Sequence, residues 1–128
     1  MNAGRKGSGA PEEKLVSALE EICGVDRVST DNRLRDTYGR DKITEQHYAG
    51  RSGVIAWPTT TAEVVQIVQC ARERGVAVTP RDGGSGLSGG AVPVEGCIVI
   101  AMERMNRVLE VDDENLVAVV SPGWSPKC

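Results

Sequence analysis

Phenylalanine is absent from this chain, and aromatic residues of all kinds make up only 3% of it. A single small core so poor in rings leaves little margin over conformational entropy, so weak stability in isolation is expected. Basic residues are also short: 15 lysines and arginines face 18 acidic residues, for a net charge of −3 and an isoelectric point near 5.2. Nucleic-acid binders normally carry a basic stripe, so that class is set aside. No apolar run approaches the roughly 20 residues needed to span a bilayer. In the opening MNAGRKGSGAPEEK no apolar stretch follows Arg5 and Lys6, which argues against a signal peptide. The four cysteines, Cys23, Cys70, Cys97 and Cys128, form no C-x-x-C pair, and zinc and thioredoxin-type readings fall with it. Cys70 and Cys97 lie in apolar patterns and read as small core residues. Reduced thiols and a cytoplasmic location are expected. His47 is the only histidine, with only Glu45 near it in sequence, so it reads as a surface or supporting residue rather than a catalytic base.

What the chain has in excess is glycine, 15 in 128 residues. Without a collagen period, this points to backbone that turns tightly or approaches a ligand closely. An apolar share of 40% and a charged share of 26% are otherwise ordinary for one globular domain.

Residues 1–10 read as a flexible lead. Pro11 then opens a helix whose Leu15, Ala18, Leu19 and Ile22 recur at helical spacing, and Gly24 stops it. Residues 26–53 are polar and irregular, with a short helix near Arg33–Tyr38. Val54–Trp57 reads as a strand ended by Pro58, with Trp57 either in the core or stacked on a ring. Thr60 and Glu63 form a capping box for a helix with Val64, Ile67, Val68 and Ala71 on one face. Gly75 closes that helix, and Arg72 and Arg74 suit its dipole. Val76–Thr79 is the next strand, so residues 54–79 make a strand–helix–strand unit with a right-handed crossover. Cys97–Met102 is a fully apolar strand. Val108–Val111 and Leu116–Val120 flank an acidic turn at 112–115 and read as a hairpin. That turn lacks the spaced ligands of a calcium loop, and no metal site is expected.

The loop PRDGGSGLSGG carries Gly83, Gly84, Gly86, Gly89 and Gly90 directly after a strand. Losing these Cβ atoms exposes consecutive backbone N–H groups, a nest suited to phosphate oxygens, and Ser85 and Ser88 add hydroxyl donors. The alternative is a plain surface loop, which seldom follows a strand so abruptly. Gly84 to Gly89 matches G-x-G-x-x-G literally, and Glu103 falls near the place of a ribose-binding acid. The dinucleotide reading still fails, because only seven residues separate Gly89 from Cys97, too few for a crossover helix. No Walker-type P-loop is present.

The runs RERGVAVTPR, DGGSGLSGGAVPVEG and MERMNRVLEVDDENLVAVVSPG resemble the vanillyl-alcohol oxidase / p-cresol methylhydroxylase family, in its glycolate oxidase and D-lactate dehydrogenase branch. The likeness covers residues 54–123. It implies the amino-terminal half of a PCMH-type FAD-binding domain, α+β in class: a small mixed sheet with one packed helix, preceded by a loosely attached helical lead. The expected division is 1–48 for the lead and 49–128 for the incomplete FAD-binding domain. By position, the resemblance puts Arg81, Gly83, Gly84, Ser85, Gly86, Leu87, Ser88 and Gly89 along the FAD pyrophosphate and Pro58 near the adenine end of the groove. The loop has no histidine at the position of Ser85, where covalently flavinylated relatives carry one, so the FAD is expected to be non-covalent. Asp82 stands where relatives usually have glycine. The implied activity is two-electron oxidation of a small D-2-hydroxy acid, with a dimer or an iron–sulfur partner subunit compatible with the family. The substrate-binding and proton-accepting residues of such enzymes lie beyond the resemblance, so no catalytic residue is named. The rival reading is a truncated, non-catalytic flavin-domain remnant or partner module.

Overall fold

The fold is taken from a computed structural model of the chain, and the structure describes residues 13–38, 53–82 and 96–125. Helix α1 (Glu13–Cys23) leads through a 3₁₀ turn into the two-residue strand β1 (Val28–Ser29) and the short helix α2 (Asn32–Thr37). Strand β2 (Val54–Ala56), helix α3 (Thr61–Arg74), β3 (Val78–Arg81) and β4 (Ile98–Ala101) follow. A second 3₁₀ turn (Met102–Arg104) precedes the hairpin of β5 (Val108–Asp112) and β6 (Val117–Val120).

The main sheet has the order β1-β2-β4-β3. Strand β4 runs parallel to both β2 and β3, and β1 pairs antiparallel with β2, so the sheet is mixed. The strand–helix–strand unit is therefore split. Its two strands are parallel as predicted, yet β4 comes back through the glycine-rich connection and takes the place between them. This is reasonable on composition, since all of Ile98, Val99, Ile100 and Ala101 are buried and a strand buried on both faces belongs in the centre.

Side-chain alternation sorts the sheet into two faces. Val54, Ala56, Ile98 and Ile100 pack under α1 and α3 with Leu15, Leu19, Cys23, Ile67, Cys70 and Ala71. On the other face Ile55, Trp57, Cys97, Val99 and Ala101 form a second cluster, with Tyr38 against it. Each wholly buried aliphatic side chain such as Leu19 or Ile67 contributes about 2 kcal/mol relative to exposure. Helix α1 is thus no loosely attached lead: Leu19 is fully buried in the same cluster as α3. Its expected start at Pro11 lies outside the described residues.

The ends of α3 follow the sequence signals. The Thr60 hydroxyl accepts from the Glu63 N–H at 3.2 Å, and Gly75 adopts the left-handed conformation with φ 62°. The Val76 N–H returns to the Ala71 carbonyl at 2.9 Å and that of Gly75 to Arg72 at 3.2 Å, a Schellman closure. This closure consumes Val76, which is why β3 begins at Val78 and not at the predicted Val76. At the acidic turn, the Asp112 carboxylate accepts from the Asn115 side-chain amide at 2.8 Å and from the backbone N–H groups of Asn115 and Glu114. These bonds, the Asn115 side chain first, hold it below the usual aspartate range. Among the described residues no cluster of metal-ligating side chains exists, and no helix is long and apolar enough to cross a membrane.

Candidate functional site at the carboxyl edge of the parallel strands

Because β2, β4 and β3 are parallel and in register, their carboxyl ends emerge along one edge: Ala56 pairs with Ile100, and Arg81 with Ala101. In open sheets of this kind ligands bind outside the carboxyl ends of the strands. Trp57 and Pro58 leave β2 there, Arg81 and Asp82 leave β3, and Glu103 and Arg104 follow β4. Pro58 is fully buried. Arg81 is half-buried and Asp82 is exposed, consistent with neighbouring side chains of extended backbone facing opposite ways. Gly83, Gly84, Ser85, Gly86, Leu87, Ser88 and Gly89 lie outside the described residues, as does His47.

A network spanning four elements occupies this edge. The Tyr38 hydroxyl donates to Glu103 Oε1, and the Trp57 indole Nε1 donates to the same oxygen at 3.0 Å. The Tyr38 and Trp57 rings meet edge to face, with centroids 5.9 Å apart and planes at 86°. The Arg81 guanidinium lies over the Tyr38 ring at 5.3 Å from its centroid and donates from Nη1 to the Tyr38 carbonyl at 3.3 Å. Arg104 sits over the Trp57 ring at 5.4 Å. Burial pushes the Tyr38 phenol above its ordinary value, and the bond to the Glu103 carboxylate adds to this. Trp57 is therefore packed rather than free to stack on a ligand.

Helix α2 delivers Tyr38 to this place. The Asp31 carboxylate caps it, accepting from Arg33 N at 2.9 Å and Leu34 N at 3.2 Å, and Tyr38 closes it. Sequence reasoning missed Tyr38, which sits in a polar stretch with no periodic signal. It noticed Glu103 only as a component of a rejected fingerprint.

Arg81 is a half-buried cation at the strand edge, two residues before the glycine-rich segment 83–90. A family model for an FAD binding domain matches residues 52–125. The chain belongs to that family. It is 41% identical over 111 residues to an uncharacterised FAD-linked oxidoreductase of Mycobacterium tuberculosis, covering 86% of this chain and 24% of the relative. Over 105 residues it is 37% identical to the glycolate oxidase subunit GlcD of Bacillus subtilis, covering 82% and 22%. The fold matches that of p-cresol methylhydroxylase with a TM-score of 0.77 at 21% identity, over 91% of this chain and 24% of that one. The chain thus spans about a quarter of the length of the relatives it matches. The expected PCMH-type architecture and FAD as cofactor are both borne out.

Proposed function

We propose that this chain is the diphosphate-holding portion of an FAD-linked oxidoreductase that oxidises a small D-2-hydroxy acid of the glycolate or D-lactate type. The reading rests chiefly on Arg81 at the carboxyl edge of the parallel strands, two residues before the glycine-rich run that starts at Gly83, in a chain of the FAD-binding family. Arg81 and the backbone of Gly83, Gly84, Ser85, Gly86, Leu87, Ser88 and Gly89 would hold the diphosphate, with Pro58 toward the adenine end. Bound FAD supplies a two-electron acceptor, so that a 2-hydroxy acid leaves as the 2-oxo acid. Arg81 offsets the diphosphate charge; exposed Asp82 turns its carboxylate to solvent. Likeness to a glycolate oxidase subunit supports the hydroxy-acid class. In this reading residues 49–128 serve the flavin and 1–48 precede them, the flavin is non-covalent, and the protein is cytoplasmic, with Cys23, Cys70 and Cys97 as free thiols.

The experiment is a visible spectrum of the purified protein, followed by acid precipitation and anaerobic titration with glycolate, D-lactate and L-lactate. A yellow protein that releases its flavin to the supernatant and is bleached by glycolate or D-lactate supports the reading. A colourless protein favours the rival, a non-catalytic flavin-domain module. Colour retained in the pellet overturns non-covalent attachment.

A further inference from the structure

The contacts of Arg81 point to a residue that acts through it. An arginine at a strand end, half in solvent, has many rotamers, and an anion site gains from fixing one of them. Two contacts to one residue do so here: the guanidinium rests over the Tyr38 ring at 5.3 Å and donates to the Tyr38 carbonyl at 3.3 Å. Tyr38 is held in turn. Its hydroxyl donates to Glu103 Oε1, which also takes the Trp57 Nε1 proton at 3.0 Å, and its ring abuts the indole edge to face. The chain of contacts runs from Glu103 after β4 through Trp57 and Tyr38 to the Arg81 guanidinium on β3.

We propose that Tyr38 is a positioning residue for Arg81, fixing its guanidinium for an anionic diphosphate, with Glu103 and Trp57 anchoring the Tyr38 ring. That this anion belongs to FAD rests on the function proposed above. The ring supplies a surface that stabilises the cation without cancelling its charge, whereas a carboxylate in the same place would compete with the ligand. Glu103 Oε1 is taken up by the donors of Tyr38 and Trp57.

The test is a double-mutant cycle in the protein, read by calorimetric titration with FAD and, separately, with inorganic pyrophosphate. Tyr38→Leu is expected to weaken binding about 2- to 5-fold, the range of one exposed to partly buried cation–π contact. Tyr38→Phe keeps the ring and loses its anchor, and is expected to fall between Tyr38→Leu and wild type. Arg81→Ala weakens binding more, and adding Tyr38→Leu to it changes nothing further. Independent losses that add in the double variant overturn the proposal, since they describe a merely structural tyrosine. A second readout needs no ligand. In arginine-labelled protein the Arg81 side-chain resonances should carry a ring-current shift that Tyr38→Leu abolishes and Tyr38→Phe retains. Unshifted Arg81 resonances in the wild type overturn the proposal. Pyrophosphate binding that depends on both residues, in protein that does not take FAD, supports the positioning role while overturning the flavin reading.

Discussion

The Arg27 guanidinium meets the Glu63 carboxylate at 2.9 Å across the turn that joins β2 to α3. Arg27 also donates to the Thr59 hydroxyl at 3.0 Å and to the Trp57 carbonyl at 3.4 Å, so one cation closes over the segment containing Pro58. The Glu63 carboxylate accepts in addition from the Thr59 hydroxyl at 2.8 Å. With side-chain exposures of 21% and 13%, the pair is largely withdrawn from water. Removing one partner leaves the other desolvated and unpaired, which costs more than the pair contributes. Arg27→Ala is expected to lower stability by about 2 kcal/mol in urea denaturation.

The same pair sets an acid limit. Burial opposes ionisation of Glu63, but the hydrogen bonds from Arg27 and Thr59 outweigh it and hold the carboxyl below the ordinary 4.5. A depressed folded-state value means that this contribution is complete above about pH 4.5 and is lost as pH falls through the lower folded value. Glu63→Gln should flatten that part of the stability–pH curve, measured by thermal melts between acid and neutral pH.

Cys23 is expected to be the slow thiol. Burial, and next the nearby Glu63 charge, push it up to about 11 from 9.0. Thiolate is the reactive form, so alkylation by iodoacetamide at neutral pH should reach Cys23 only when the chain opens. The sign at alkaline pH is the reverse of that for Glu63. A raised folded value contributes stability below about pH 9, which is lost as pH climbs toward about 11. Peptide mapping after timed labelling, with and without urea, checks the reactivity.

Much of this fold was legible where local chemistry decides it. Thr60, Glu63 and Gly75 mark both ends of α3, and the hairpin around the 112–115 turn is legible in two apolar runs that flank an acidic turn. What was not legible depends on chain path. Strand β1 is two residues long, too short to show a period, and exists because β2 offers it an edge. The place of β4 between β2 and β3 follows from burial on both faces, which sequence order does not reveal. Of the expected site, Pro58 and Arg81 fall at one edge. Tyr38 and Glu103 were invisible as partners because 65 positions separate them.

Two glycines should differ sharply on substitution. A Cβ on Gly123 would stand 1.9 Å from the Met102 carbonyl oxygen and 2.9 Å from Glu103 Cα, both of them backbone atoms. Gly123→Ala must therefore displace the turn that carries Glu103, at a cost of about 3 kcal/mol. At Gly75 the space is open and only its φ of 62° resists, so Gly75→Ala should cost about 1 kcal/mol. Paired thermal melts decide between them.

Asp82→Asn is expected to change FAD affinity less than about threefold, because an exposed carboxylate is worth only ~0–1 kcal/mol. A gain of tenfold or more would mean that the carboxylate turns toward the phosphates when flavin binds. Fluorescence titration of flavin with the two proteins measures it.

The central position of β4 has a consequence during synthesis. As the chain leaves the ribosome, β2, α3 and β3 emerge first, yet among the described residues β3 has β4 as its only ladder partner. Until residues 98–101 clear the exit tunnel, the nascent polypeptide holds a helix flanked by two strands with a gap between them and unpaired N–H and C=O groups facing it. Such edges recruit other chains, and parallel pairing across a long connection forms slowly. The interval between the emergence of Arg81 and that of Ala101 from the tunnel is when these edges stand open, and a pause in translation then would prolong the exposure.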